Sequence, residues 1–146
     1  MKTKKILFAT DFSPSSEAAL AMAVSLARES NATLMLVHVQ EPPMAFGGGE
    51  TYVGPLETVE ELSSMLANLV GKDAGIPVER RIVVGEPAHE IVELAEENDV
   101  DLIVIGSHGR TGVARLLMGS VAEAVVRRAK CAVLTVKQPE HAAVAK

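Results

Sequence analysis

Four short, largely continuous apolar runs recur along the chain with helical patterns between them: Ile6 to Ala9, Leu34 to Val39, Leu102 to Ile105 and Ala132 to Val136. A strand with one wet face alternates apolar and polar residues, whereas a continuous run suits a strand covered on both faces of a parallel sheet. A fifth run, Val78 to Val84, carries Glu79, Arg80 and Arg81 in its first half and is expected to be more exposed. Between the runs, Ser13-Pro14 supplies a helix start, and Ala19, Met22, Ala23, Leu26 and Ala27 follow at helical spacing up to a stop near Asn31. A second helix is predicted from about Leu56 to Lys72, with Leu62, Leu66, Leu69 and Val70 inward, and Gly75-Ile76-Pro77 breaks the chain after it. A third starts beside Pro87, turns Ile91, Val92, Leu94 and Ala95 inward and ends around Asn98. The fourth begins near Gly119-Ser120 and carries Val121, Ala124, Val125 and Ala129.

Strand-helix alternation with right-handed crossovers predicts an α/β fold: a doubly wound, five-stranded parallel sheet, order 3-2-1-4-5, with helices on both faces. One domain over residues 1–138 and a mobile tail over 139–146 suit the length of 146 residues. In such sheets ligands bind beyond the carboxyl ends of the strands at the topological switch point. Here that crevice lies between strands 1 and 4, where Thr10-Asp11 and Gly106-Ser107 meet. The stretch from Pro42 to Pro55 holds three prolines and four glycines. It reads as a mobile loop, equally compatible with a cover for the crevice and with a tolerated surface insertion.

Charge narrows the partners. Aromatic residues make up 3% and the net charge is −5, which together argue against a nucleic-acid surface built on stacking and basic residues. From Leu56 to Asp101 twelve acids face three bases, yet from Leu102 to Lys130 the single acid Glu123 faces five bases. The basic stretch contains the glycine-rich loop, where an anionic ligand is favoured. A single cysteine, Cys131, excludes an intrachain disulfide and fits a reducing compartment. No apolar stretch approaches membrane-spanning length, so a cytoplasmic protein without a membrane partner is expected. The four histidines and one cysteine show no zinc spacing, no protein-held metal is expected, and no catalytic triad can be placed around His108.

The loop itself reads Gly106-Ser107-His108-Gly109, nine residues, then Gly119-Ser120. Glycines let backbone amides approach a phosphate without an intervening Cβ, and the second pair opens a helix whose first amides lack partners. Arg110 and Arg115 add positive charge. The spacing is neither a P-loop nor a dinucleotide fingerprint, and alone it is equally compatible with a phosphate cradle and a plain strand-loop-helix connection. With these residues in place the chain resembles the universal stress protein family over nearly its whole length. The match runs through Gly106-Ser107-His108-Gly109 to Gly119-Ser120-Val121, Lys5-Ile6-Leu7 to Thr10-Asp11-Phe12-Ser13, His38-Val39, and Val84-Gly85-Glu86-Pro87.

The resemblance implies an ATP-binding member acting as a nucleotide-dependent signalling or stress-response module, with ADP or AMP as alternative occupants. Asp11 is implied to contact the ribose and the backbone of Val39 to read the adenine edge. Gly106, Gly109, Gly119 and Ser120 are implied to hold ribose and phosphates with the Val121 amide nearby, while Ala9 and Thr10 line the pocket. Mg2+ or Mn2+ would be carried on the phosphates. Slow ATP hydrolysis and a nucleotide-free interaction module of the same fold remain as alternatives, and a protein partner of unknown identity is expected. The last strand, Ala132 to Val136, lies at a sheet edge and predicts a homodimer, as the resemblance also implies.

Overall fold

A computed structural model of the chain describes residues 2–42, 45–46, 50–51, 58–108 and 118–139. Five parallel strands form one sheet: β1 (Lys5–Ala9), β2 (Thr33–Gln40), β5 (Val78–Val84), β6 (Leu102–Gly106) and β7 (Ala132–Val136). Their spatial order is β5-β2-β1-β6-β7, which is the predicted 3-2-1-4-5. Two further short strands, β3 (Ala45–Phe46) and β4 (Glu50–Thr51), pair antiparallel with each other. They fall in the Pro42 to Pro55 stretch, whose remaining residues from Pro43 to Pro55 lie outside the described residues. The tail beyond Pro139 also lies outside them.

The helices are α1 (Glu17–Ser30), α2 (Val59–Leu69), α3 (Pro87–Glu97) and α4 (Ser120–Arg128). One apolar layer packs α1 and α2 against Ile6, Phe8, Leu34 and Leu36, and the other packs α3 and α4 against Leu7, Met35, Val37 and Ile103. Alternate residues of β1 and β2 therefore serve opposite layers, and both are buried, as the continuous runs require. β5 is an edge strand with Arg80 and Arg81 exposed. Its exposure matches the charged first half of that run.

Four helical details differ from the sequence reading. α1 is preceded by a turn of 3-10 helix, Pro14–Ser16, so the α-helix proper starts three residues later than Ser13-Pro14 suggests. Its buried stripe is Ala19, Ala23 and Ala27, while Met22 is 42% exposed. The three small residues at i, i+4, i+8 let the helix lie close to the sheet, which turns Met22 outward. α2 begins only at Val59, because Thr58 and Glu61 close a reciprocal capping box: Glu61 N–H donates to Thr58 Oγ1, and Thr58 N–H to Glu61 Oε2. It stops at Leu69 rather than Lys72, and a separate 3-10 turn spans Lys72–Ala74. α4 starts where expected, with Ser120 its first residue and Gly119 its N-cap. The stop of α1 at Asn31 matches the expectation, with that residue in the left-handed conformation asparagine tolerates (φ 55°, ψ 41°).

Candidate functional site

β1 and β6 are hydrogen-bonded neighbours whose chains leave in opposite directions, one to α1 and the other through the glycine loop to α4. Their ends sit side by side, with Ala9 paired to Ile105. Ala9 and Thr10 are buried, at 8% and 6% exposure, and form the floor at this edge.

Beyond β1 the chain makes a tight, hydroxyl-rich turn. Phe12 N–H donates to Thr10 Oγ1 (2.9 Å), and Phe12 takes a positive φ of 63°, a strained value for a bulky residue. Asp11 Oδ1 accepts from the Ser13 amide (2.9 Å) and from the Ser13 hydroxyl, so one carboxylate oxygen shapes the turn. Ser16 closes the turn onto the Ser13 carbonyl through both its amide and its hydroxyl. Ser15 Oγ then donates across the crevice to the carbonyl of His108 (3.2 Å). Thr10 and Asp11 thus stand at the expected crevice and Ser13-Pro14 before the helix, but the hydroxyl network that joins them was not expected. Its signal, three serines and a threonine around Asp11, was present in Thr10 to Ser16.

The β6 side answers this turn. A Cβ on Gly106 would stand 3.3 Å from the carbonyl oxygen of Ser15 and 3.7 Å from Ser16 Cα. A side chain at Gly106 would therefore crowd the close approach of the two backbones, a reason for glycine separate from any ligand. Gly119 N–H donates to the carbonyl of Ser107, which brings the far end of the loop back to the strand it left. Gly119 caps α4 with φ −72° and ψ 161° and has no side chain to satisfy the first amides of the helix. Ser120 is exposed, and Val121 is partly buried in the α3/α4 layer. The predicted Gly109 and Arg110 lie outside the described residues.

Val39 lies on the neighbouring strand, partly buried. Val37 O accepts from Thr10 N–H on the β1 side, and Gln40 O accepts from Gly85 N–H on the β5 side. The alternation of a parallel ladder therefore points the main-chain N–H and C=O of Val39 toward the line of β1. Among the described residues no main-chain bond from β1 reaches them, since the ladder ends at Thr10. A donor and an acceptor thus face the gap beside the buried floor.

Another concavity is a groove of about 350 Å³ between the carboxyl ends of α3 and α4, lined in part by Glu96, Asp99, Lys130 and Cys131. It lies at the opposite end of the strands, before β6 and β7 begin, where helix carboxyl ends and carboxylates disfavour an anion. Burial pushes the Cys131 thiol above its ordinary range, which makes it a poor nucleophile. No group of three or more His, Cys, Asp or Glu among the described residues is placed to hold a metal ion. No described helix is long and apolar enough to cross a membrane.

A doubly wound sheet with a helix amino terminus at its switch point is the architecture in which α/β proteins bind ligands beyond the carboxyl ends of their strands. The universal stress protein family model matches residues 2–137, and the chain belongs to that family. A universal stress protein of Methanocaldococcus jannaschii is 38% identical over 149 residues, covering 94% of this chain and 84% of that protein. A universal stress protein solved in complex with cAMP is 30% identical with a TM-score of 0.67, over 95% of this chain and 100% of the other. A universal stress protein from Archaeoglobus fulgidus solved in complex with dAMP is 26% identical with a TM-score of 0.64, over 94% and 100%.

Proposed function

We propose that this chain, through one domain spanning residues 1–138, is an ATP-binding module whose nucleotide occupancy alters its surface for a protein partner in a cytoplasmic signalling or stress response. The observation that carries the reading is the convergence, at one sheet edge, of the open Val39 main chain, the Thr10-Asp11 turn and the side-chain-free cap of α4. Two relatives solved with adenine nucleotides support it. In this reading Val39 reads the adenine edge over Ala9 and Thr10, and Asp11 contacts the ribose. Gly106, Gly109, Gly119, Ser120 and the Val121 amide hold ribose and phosphates, aided by the charge of Arg110. Mg2+ or Mn2+ would take phosphate oxygens as its ligands. ADP or AMP fits the same site with fewer phosphate contacts.

Calorimetry of the purified chain with ATP tests the reading. One-to-one saturable binding is expected, and no binding of ATP, ADP or AMP contradicts it. The same preparation is expected to turn over ATP far below the typical enzyme median of about 10 per second, because the site offers donors but no evident base for water.

A homodimer through β7 belongs to the same proposal. Ser107 N–H donates to Val136 O, so the main chains of Ala132, Leu134 and Val136 face β6, and those of Val133 and Thr135 face the open edge. An edge that no described residue pairs with favours pairing with a second copy about a two-fold axis. Thr135→Pro removes an outward N–H and leaves the β6 ladder intact, which an edge strand tolerates. Sedimentation should show a dimeric wild type and a folded, monomeric variant. A monomeric wild type, or a dimeric folded variant, overturns this interface.

A further inference from the structure

The end of the β1–β2 ladder holds a buried histidine that the proposed site does not use. His38 is 7% exposed and sits one residue before Val39. Its Nδ1–H donates to the carbonyl of Thr10 at 2.9 Å. Because a carbonyl only accepts, Nδ1 must carry the proton. The ring packs against Phe12, with centroids 4.6 Å apart and planes inclined by 41°. Phe12 is the residue held at φ 63°, and its amide is fixed by Thr10 Oγ1. His38 thus grips both the carbonyl and the aromatic ring of the turn that carries Asp11.

The identity of that carbonyl matters. Thr10 N–H already donates to Val37 O. In a continuing parallel ladder the next bond would run from Val39 N–H to Thr10 O. The imidazole occupies that acceptor from the α1/α2 side of the sheet, and β1 leaves the ladder one step early. We infer that His38 is a positioning residue whose Nδ1–H takes the Thr10 carbonyl in place of the Val39 amide, keeping the Val39 main-chain edge open for the adenine base. The inference rests on the nucleotide reading of the site, but its structural half, the competition for Thr10 O, stands on the geometry alone.

The two halves are separated by two measurements on the full chain. In His38→Leu the acceptor is released to Val39, so the Val39 amide should exchange with deuterium at least about tenfold more slowly without nucleotide. ATP should bind at least about tenfold more weakly, the loss of about one hydrogen bond to the base. His38→Asn, whose Nδ2–H can reach where Nδ1–H lies, should keep ATP affinity within about threefold of wild type. A merely structural role predicts the reverse at Val39, a faster exchange in His38→Leu. Unchanged or faster exchange in a folded His38→Leu overturns the inference. Should that variant fail to fold, nitrogen chemical shifts of the wild-type ring decide. A neutral Nδ1–H tautomer supports it, and a neutral Nε2–H tautomer overturns it. If wild type binds no adenine nucleotide, the nucleotide reading falls while the exchange at Val39 still judges the competition for Thr10 O.

Discussion

Gly119→Val is expected to weaken ATP binding by about 100-fold or more, roughly 3 kcal/mol, with the fold intact. Gly119 has φ −72° and ψ 161°, a conformation any L-residue adopts, so the backbone itself accepts valine. What changes is the space and polarity in front of α4. The first amides of that helix have no side-chain cap, and the helix dipole favours an anion there. A branched apolar side chain at the cap would stand between a phosphate and those amides. Valine is also a poor N-cap, which costs about 1 kcal/mol and moves the melting temperature by roughly 2–4 °C. Calorimetry beside a thermal melt separates the two effects. Unchanged affinity places the phosphates elsewhere, and a collapse of the melt makes the variant a folding mutant instead.

Phe8→Ala is the second large effect, and it acts on stability. Phe8 is fully buried in the layer between the sheet and α1, among Ile6, Leu34, Leu36 and Val104. Truncating a buried phenylalanine typically costs about 3–5 kcal/mol, and the higher figure applies where the surroundings cannot collapse into the space. Here the helix above contributes Ala19, Ala23 and Ala27, whose side chains are too short to follow. The cost is a large part of a typical domain stability of about 5–15 kcal/mol. Urea unfolding should show a stability lowered by about 3–5 kcal/mol, read as a lower midpoint with an unchanged slope. A cost below about 1.5 kcal/mol would mean that α1 settles onto the sheet more freely than its alanine stripe implies.

Strand positions and the two-faced burial of β1, β2 and β6 were legible because they follow from continuity of apolar residues, whereas β7, at the sheet edge, is only partly buried. The rotation of α1 was not. Hydropathy weights Met22 above the alanines, but contact with a sheet selects the smallest residues, and these are Ala19, Ala23 and Ala27. The start of α2 was legible in Thr58-Val59-Glu60-Glu61, a Thr-x-x-Glu capping pattern that the apolar spacing alone passes over. At the site, Asp11 at a strand end and the spacing of Gly106, Gly109 and Gly119-Ser120 stand out in the sequence. Their neighbours do not, because the contacts are remote in sequence. Ser15 meets His108 across 93 positions and His38 meets Thr10 across 28. Gly106 carries a packing reason that only the folded approach of Ser15 and Ser16 discloses.

Amide chemical-shift mapping during an ATP titration locates the nucleotide on the chain. The predicted result is a set of saturating shifts at Thr10 to Ser13, Val39, Gly106 to His108 and Gly119 to Ala122. The amides of Glu96, Asp99 and Cys131, around the opposite groove, should stay unmoved. Shifts that saturate around that groove while Val39 and Gly119 stay silent would contradict the account.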